Sequence, residues 1–244
     1  MELQGSRALV VGAETAAGGA IARALGAAGA ALGLATMRAD EGVLAARRIA
    51  RERQAAGGTA AVYAFDVTLG QNVKVSTRQV TKELGGLEVL VSAPDRLVAA
   101  RLAETTDSEL AATLVANLHA HLFAVRAAAD EFRRGDGGRV ILVAHEAGEA
   151  GLPGAAAYAA AQGGAIALGR SLAGELATQG VGLDVVLVGV AEWTAEGAGR
   201  TLVPMSDAEA EALGRLAVEL LQAPAGEALT ETGRVVRLRE WMTR

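Results

Sequence analysis

The chain has 244 residues, of which 51% are hydrophobic, and a formal net charge of −5. This length is enough for one sizeable core, so residues 1–244 are predicted to form a single domain. The acidic balance and the lack of a basic stripe argue against nucleic acid as a partner. Because the chain has no cysteine and only 3 histidines, no metal site is predicted.

The first residues lack the basic start, apolar run and cleavage site of a signal peptide, so a cytoplasmic protein is expected. The stretch Ala8–Ala35 is apolar, but Glu14, Arg23 and several glycines interrupt it. A strand, a turn, a helix and a second strand explain this stretch better than a membrane span does, so no membrane association is predicted.

Short apolar runs alternate with longer helical patterns along the chain. The runs are rich in Val, Leu and Ile with little alternation, which is typical of parallel strands covered on both faces. The predicted strands are Arg7–Val11, Ala30–Thr36, Thr59–Phe65, Leu87–Ser92, Arg139–Ala144, Leu183–Val188 and Arg234–Leu238. The predicted helices are Gly18–Ala28, Ala39–Ala56, Gln71–Leu84, Asp107–Arg134, Gly154–Gln179 and Asp207–Gln222. This order predicts an α/β fold, a Rossmann-like doubly wound parallel sheet of about seven strands with helices on both faces.

A glycine-containing turn follows the first predicted strand. Gly12 can form the tight turn, Thr15 lies within it, and Gly18 lets the backbone approach a pyrophosphate at a helix N-terminus. A tight strand–helix connection without any ligand would use the same glycines. The position after the first strand favours a dinucleotide site over that alternative.

Several segments together resemble the short-chain dehydrogenase/reductase family. Gly12 and Gly18 match the outer glycines of its G-x-x-x-G-x-G pattern, although Ala16 replaces the middle one. The other matching segments are Phe65–Thr68, Asn117, Gly138–Ile141, Leu152–Tyr158, Gly163–Gly164 and Thr232–Val236. The chain is therefore identified as a member of this family over nearly its whole length. The resemblance implies an NAD(P)-dependent oxidoreductase fold that acts on a hydroxyl or a ketone.

The resemblance also implies where a cofactor would contact the chain. Asp66 and Val67 fall where the family contacts adenine. Thr36 stands where NAD-dependent members carry an acidic residue, and Arg38 could pair with a 2′-phosphate and favour NADP. Arg38 could equally be a solvated loop residue, and that interpretation is the one we favour.

The resemblance implies a proton relay that this chain carries only in part. In the family a tyrosine transfers the substrate proton, a lysine four residues later lowers its pKa, and a serine thirteen residues earlier holds the substrate oxygen. Tyr158 matches the tyrosine and Asn117 the helix asparagine, but Gln162 and His145 stand at the lysine and serine positions. A phenol of pKa about 10 stays protonated at neutral pH without a nearby cation. These departures predict a degenerate member that lacks the catalytic serine and lysine.

Further departures concern the cofactor. The family's Asn-Asn-Ala-Gly after the fourth strand is Ser92–Asp95 here, in which Pro94 lacks a backbone donor and Asp95 adds a carboxylate. We therefore expect this chain to bind no cofactor, or NAD(P) only weakly. The residues available for weak binding are Gly12, Thr15, Gly18, Arg38, Asp66 and Val67.

Three functions are open at this stage. The leading one is a non-catalytic subunit in a heterotetramer with a homologous active short-chain dehydrogenase/reductase that carries NAD(P) and acts, by analogy, on a coenzyme A thioester or an aromatic catabolite. The helices Asp107–Arg134 and Gly154–Gln179 correspond to those that pack between family subunits. The second is an active, atypical ketoreductase or alcohol dehydrogenase that uses Tyr158, His145 and Asn117, with Gln162 on the ribose. The third is a regulatory protein that senses a dinucleotide or an acyl group.

Overall fold

The sheet follows the predicted doubly wound order. The computed structural model describes residues 1–37, 41–193, 202–223 and 231–244, and within them one parallel 7-stranded sheet runs in the order β3-β2-β1-β4-β5-β6-β7. Its strands are β1 (Arg7–Val11), β2 (Ala31–Thr36), β3 (Ala60–Ala64), β4 (Val89–Ser92), β5 (Gly138–His145), β6 (Val181–Val188) and β7 (Val235–Arg237). The predicted fold class is confirmed.

Helices cover both faces of this sheet. They are α1 (Ala16–Ala27), α2 (Glu41–Ala55), α3 (Gly70–Leu84), α4 (Asp107–Leu114), α5 (Ala120–Phe132), α6 (Ala147–Ala150), α7 (Ala156–Ala177), α8 (Asp207–Gln222) and α9 (Leu238–Met242). One core cluster lies between the sheet and α1, α2 and α8, and a second lies between the sheet and α3, α5 and α7. Since the central strands are buried on both sides, their continuous apolar runs follow from this layering.

The strand order reverses between β1 and β4. The chain moves outward from β1 to β3, returns to β4 beside β1, and then moves outward in the other direction. In open parallel sheets, ligands bind in the crevice beyond the carboxyl ends of the strands at such a switch point. The loops that follow β1, β4 and β5 are therefore where a functional site is expected.

The structure corrects several predicted element boundaries. Helix α1 begins at Ala16 rather than Gly18, because the Thr15 hydroxyl caps it by accepting the Gly18 N–H at 2.9 Å. The predicted helix Asp107–Arg134 is interrupted by a π-helical turn at Val115–His119. The short helices α6 and α9 were not predicted.

One helical stretch, Asp107–Phe132, is long and apolar enough by composition to cross a membrane. However, 44% of its most apolar window is buried inside the protein. Ala124, Ala128 and Phe132 belong to the core cluster beneath α5. The apolar character of this stretch is that of a core helix, and the fold indicates a soluble protein.

Candidate active site and cofactor cleft

The glycine turn after β1 is fully engaged with its own neighbours. Gly12 has a φ of 81°, and a Cβ added there would lie 2.4 Å from the carbonyl oxygen of Ala93. The Thr15 hydroxyl lies 2.9 Å from the Gly12 carbonyl oxygen and 3.1 Å from that of Ala93. Position 12 thus requires a glycine because the chain after β4 passes too close to leave room for a side chain, whether or not a ligand binds.

A cleft of about 1060 Å³ opens beside this turn. Its walls are residues 14–16, 65–68 and 95–97, Met37, and the small side chains at 111, 112, 115 and 116. Of the predicted cofactor residues, Thr15, Asp66 and Val67 line the cleft. Gly12 in the turn and Gly18 in the first turn of α1 are not among the lining residues, and Arg38 lies outside the described residues.

Asp66 presents an ionised carboxylate at one end of the cleft. Its Oδ1 accepts the Thr68 N–H at 2.9 Å and the Thr68 hydroxyl at 2.5 Å, and its Oδ2 accepts Asn72 Nδ2 at 2.7 Å. The hydrogen bonds from Thr68, followed by that from Asn72, lower the pKa of Asp66. The side chain is therefore held in place as an acceptor.

Negative charge predominates along the cleft. Glu14, Asp66 and Asp95 line it, and Arg96 is the one cation among its described lining residues. Glu14 also accepts the Met37 N–H at 2.8 Å, which fixes one carboxylate oxygen beside the end of β2. Arg96 is therefore the described lining residue that would pair with a phosphate of NAD(P).

Tyr158 lies at the N-terminal end of α7 and is fully buried, with 0% of the residue exposed. Its hydroxyl donates to Asp95 Oδ1 at 2.8 Å. Burial, the negative charge of Asp95 and this hydrogen bond all raise the pKa of Tyr158 well above the ordinary value, and Gln162 opposes them only in part. The phenol is consequently held in its protonated form.

Asp95 is an exposed residue whose carboxylate meets Tyr158 on one side. Enclosure by protein atoms raises the pKa of the Asp95 carboxyl, and the hydrogen bond from Tyr158 lowers it. At the alkaline pH at which a phenol ionises, the Asp95 side chain is a carboxylate even with its pKa raised. Asp95 therefore brings a negative charge to the phenol.

Gln162 connects three elements of the site and carries no charge. It is buried on α7, and its Oε1 accepts the backbone N–H of His145 at 3.0 Å. Its Nε2 lies 3.5 Å from Asn117 Oδ1 in the π-helical turn. This side chain holds the end of β5 against α7. A lysine could not replace it in this contact, because an ammonium group has no hydrogen-bond acceptor.

His145 is near Tyr158 but is not hydrogen-bonded to it. The two ring centroids lie 5.7 Å apart, and His145 Nδ1 accepts the Ala147 N–H at 3.0 Å. Burial lowers the pKa of His145 to about 4, so the ring is neutral near pH 7 with its proton on Nε2. The proposed relay between His145 and Tyr158 stays a prediction.

Asn117 bonds to main-chain groups in the π-helical turn. Its Oδ1 accepts the Arg96 N–H at 2.8 Å, and its Nδ2 donates to the carbonyl oxygens of Arg96 and Thr113, each at 2.9 Å. These contacts tie the loop after β4 to the helix. They position Arg96 and its neighbour Asp95 at the mouth of the cleft.

The chain's two lysines do not replace the missing cation beside Tyr158. Lys74 pairs with Asp130 at 2.8 Å on the outer side of α3 and α5. Lys82 lies at the other edge of the sheet, near the start of β1. Among the described residues, Asp95 is the charged group that acts on the phenol, and no group of three metal-binding side chains occurs there.

Sequence motifs do not predict the contact between Asp95 and Tyr158. The carboxylate in place of a glycine was visible in Ser92–Asp95, but no pattern connects positions 63 residues apart. The fold supplies that connection because the loop after β4 and the start of α7 meet at the same edge of the sheet.

The fold, the glycine turn and the buried tyrosine are those of the short-chain dehydrogenase family. The short chain dehydrogenase family model matches residues 6–200, and the chain belongs to this family, as predicted. Nodulation protein G of Rhizobium meliloti (strain 1021) is 30% identical over 191 residues, which cover 78% of this chain and 75% of that protein.

Two further relatives bear on the site. The (2S)-[(R)-hydroxy(phenyl)methyl]succinyl-CoA dehydrogenase subunit BbsC of Thauera aromatica is 33% identical over 185 residues, 76% of this chain and 72% of its own. The crystal structure of a metagenomic short-chain oxidoreductase in complex with NADP is 26% identical with a TM-score of 0.79, and the match covers 97% of this chain and 98% of that one.

Proposed function

We propose that the chain is a non-catalytic subunit of a hetero-oligomeric NAD(P)-dependent short-chain dehydrogenase/reductase. The homologous active subunit would carry NAD(P) and act on a hydroxyl or ketone. One observation carries this proposal: the hydroxyl of the fully buried Tyr158 donates to the carboxylate of Asp95. A phenol in that arrangement keeps its proton.

The electrostatics of the site support this interpretation. A neighbouring cation favours the phenolate, whereas a neighbouring carboxylate favours the neutral phenol. Gln162 adds no charge, and the pKa of His145 is lowered to about 4. The site is in this sense degenerate: the residues at the lysine and serine positions serve hydrogen bonds within the protein instead.

The role as a subunit is supported by a relative and by the surface of α7. The Thauera aromatica relative is itself a dehydrogenase subunit whose substrate is a coenzyme A thioester, and we extend both properties to this chain as a proposal. The exposed face of α7 carries small side chains at Ala156, Ala160, Ala167 and Gly174. Small residues let a partner helix approach closely, as a heterotetramer would need.

Purification of the native protein from its own cells tests the partnership. We expect an equimolar homologous dehydrogenase to co-purify, and to be lost when Ala167→Arg places a charged side chain on the exposed face of α7. Ala27→Arg is the matched control, because Ala27 is an exposed alanine on α1. A chain that purifies without a homologue, or whose partner survives both substitutions equally, would contradict the proposal.

An active, atypical ketoreductase is the second candidate. Tyr158, Gln162 and Asn117 lie in one neighbourhood, with 3.5 Å between Gln162 and Asn117, and the metagenomic neighbour was crystallised with NADP. This candidate requires turnover by the isolated chain that depends on Tyr158. The non-catalytic proposal requires that such turnover be absent.

A further inference from the structure

We propose that a cavity at the edge of the sheet where its strands begin binds a small polyanion with two or more phosphate groups. The cavity has a volume of about 720 Å³, and Arg7, Gly138 and Arg139 line it from the first residues of β1 and β5. The cofactor cleft lies beyond the other ends of the strands, so the two sites are separate. The inference goes beyond the proposed function, because it needs neither a partner subunit nor hydride transfer.

The side chains that line this cavity carry more positive than negative charge, although the whole chain is acidic. They include the cations Arg7, Arg78, Lys82, Arg134 and Arg139 and the carboxylates Glu88, Glu131 and Asp136. Arg7 pairs with Glu88, and Arg134 pairs with Glu131. Among the described lining side chains, Asp136 is then the carboxylate left to oppose Arg78, Lys82 and Arg139, so the cavity keeps a positive charge.

Arg139 is the buried cation of this set, with 7% of the residue exposed. Burial, followed by repulsion from Arg234, lowers the pKa of Arg139, and Asp184 opposes both effects. However, Arg234 already holds both carboxylate oxygens of Asp184, at 2.9 and 2.8 Å. The charge of Arg139 is therefore only partly compensated.

The guanidinium of Arg139 also has donors to spare. Within the described part of the chain it makes one hydrogen bond, from Nη2 to the Ala223 carbonyl oxygen at 3.4 Å, and its buried Nε has no acceptor. A buried charge without a paired ion is unfavourable. An anion that reached this guanidinium would supply both the missing charge and acceptors.

Arg78 and Lys82 are the exposed cations of the cavity. They lie four residues apart on α3, so their side chains share one face of the helix, where like charges repel each other. Neither residue forms an ion pair within the described ranges. An anion between them would remove the repulsion, with the guanidinium binding phosphate oxygens in pairs and the ammonium acting as a point charge.

The positions of these cations favour a ligand with more than one phosphate. Arg78 and Lys82 reach the cavity from α3, whereas Arg139 lies beside Ala223 at the end of α8. These two helices cover opposite faces of the sheet. A single phosphate meets one of the two groups, whereas a longer polyanion meets both, and the volume is within the range of small-molecule sites.

Isothermal titration calorimetry with inorganic pyrophosphate and with orthophosphate, at constant ionic strength, tests the inference on the wild-type chain. We expect pyrophosphate to bind about tenfold more tightly than orthophosphate. The double variant Arg78→Gln/Lys82→Gln should weaken pyrophosphate binding by about tenfold, and Asp136→Asn should tighten it by about threefold. Melting temperatures confirm that each variant folds.

Two control variants locate the bound anion. Arg48→Gln removes an exposed arginine of α2 that does not line the cavity, and it should leave the affinity for pyrophosphate within about twofold of the wild-type value. Arg96→Gln removes the described cation of the cofactor cleft and should have as little effect. Loss of binding in Arg96→Gln but not in the α3 double variant would place the anion in the cofactor cleft and overturn the inference.

Arg139→Met tests the buried cation. Pyrophosphate should raise the melting temperature of the wild-type chain but not that of Arg139→Met. If this variant does not fold, the α3 double variant decides the question, because its two residues are exposed.

The outcomes are independent of the proposed function. The absence of pyrophosphate binding overturns the inference, as does an equal loss of affinity in Arg48→Gln and in the α3 double variant. None of these measurements involves turnover or a partner subunit, so either result leaves the non-catalytic proposal to its own test.

Discussion

The hydrogen bond from Tyr158 to Asp95 sets the chemistry of the site at the scale of single residues. Asp95 lies in the loop after β4 and Tyr158 in the first turn of α7, and the two groups meet at 2.8 Å. A carboxylate beside a buried phenol stabilises the neutral form, so the proton that a dehydrogenase would exchange stays on oxygen. The charged group beside this tyrosine is the Asp95 carboxylate, which disfavours ionisation of the phenol.

Alkaline titration measures this effect. The pKa of Tyr158 is raised in the folded chain, so its contribution to stability is complete below about pH 10 and is lost only as pH rises through the folded pKa. Asp95→Asn removes the charge, and we expect it to lower the pH at which Tyr158 ionises. Ultraviolet difference absorbance of the phenolate reports the transition.

The other tyrosine provides the control for that titration. Tyr63 donates to Glu83 at 2.6 Å, and burial together with Glu83 raises its pKa. Glu83→Gln should therefore move the Tyr63 transition, while Asp95→Asn moves the Tyr158 transition. If Asp95→Asn left both transitions where they are in the wild type, Asp95 would not be the group that holds the phenol neutral.

At the scale of elements, the π-helical turn between α4 and α5 organises the loop after β4. The turn places Asn117 so that its amide satisfies the backbone N–H and C=O of Arg96 as well as the Thr113 carbonyl. This is a structural task that requires no substrate. It accounts for the asparagine at position 117 independently of any role in catalysis.

Substitution of Asn117 tests that structural role. Asn117→Ala leaves the half-buried Arg96 backbone groups without partners, so we expect the free energy of unfolding to fall by about 2–3 kcal/mol. Asn72→Ala loses one exposed hydrogen bond to Asp66 and should cost about 0.5 kcal/mol. Urea denaturation of the two variants compares them, and equal losses would mean that the turn does not depend on Asn117.

The sequence predicts the regular elements better than it predicts their interruptions. The strand β1 was predicted with its observed bounds, and the other strands within about two residues, because buried parallel strands leave continuous apolar runs. The π-helical turn was missed because Val115–His119 has an ordinary helical composition. Its cause is tertiary: the Asn117 side chain bonds to a loop 21 residues away.

The same limit applies to the site. Tyr158, His145, Gln162 and Asn117 could be located from the family pattern, and the structure brings all of them to one edge of the sheet. Their hydrogen-bond partners could not be predicted, because these partners are backbone groups or side chains that the fold brings close. Asp95 was recognised as a departure from the pattern, but not as the partner of Tyr158.

At the scale of the whole molecule, buried histidines make the fold sensitive to acid. Burial lowers the pKa of His145 to about 4 and that of His121 to about 3. A histidine with a lowered folded pKa contributes stability above its unfolded pKa of about 6.5, and that contribution is lost as pH falls towards the folded value. The chain should therefore lose stability as pH falls from about 6.5 to about 4.

Urea denaturation across this pH range tests the prediction. For His145 the full contribution is on the order of 3 kcal/mol. His145→Gln should reduce the slope of the free energy of unfolding against pH by the equivalent of about one proton, whatever stability the substitution costs at neutral pH. His119→Gln is the control, because His119 is an exposed histidine in the π-helical turn, with its ring centroid 5.9 Å from that of Phe123. Equal slopes for the two variants would contradict the assignment.

The measurement that tests the central claim most directly is turnover by the purified chain alone. The chain would be assayed with NADH and NADPH against ketones that include coenzyme A thioesters, and Tyr158→Phe would be assayed in parallel. We predict no turnover that depends on Tyr158, and we predict that the native complex keeps its activity when this chain carries Tyr158→Phe. Turnover by the isolated chain that Tyr158→Phe abolishes would contradict the account.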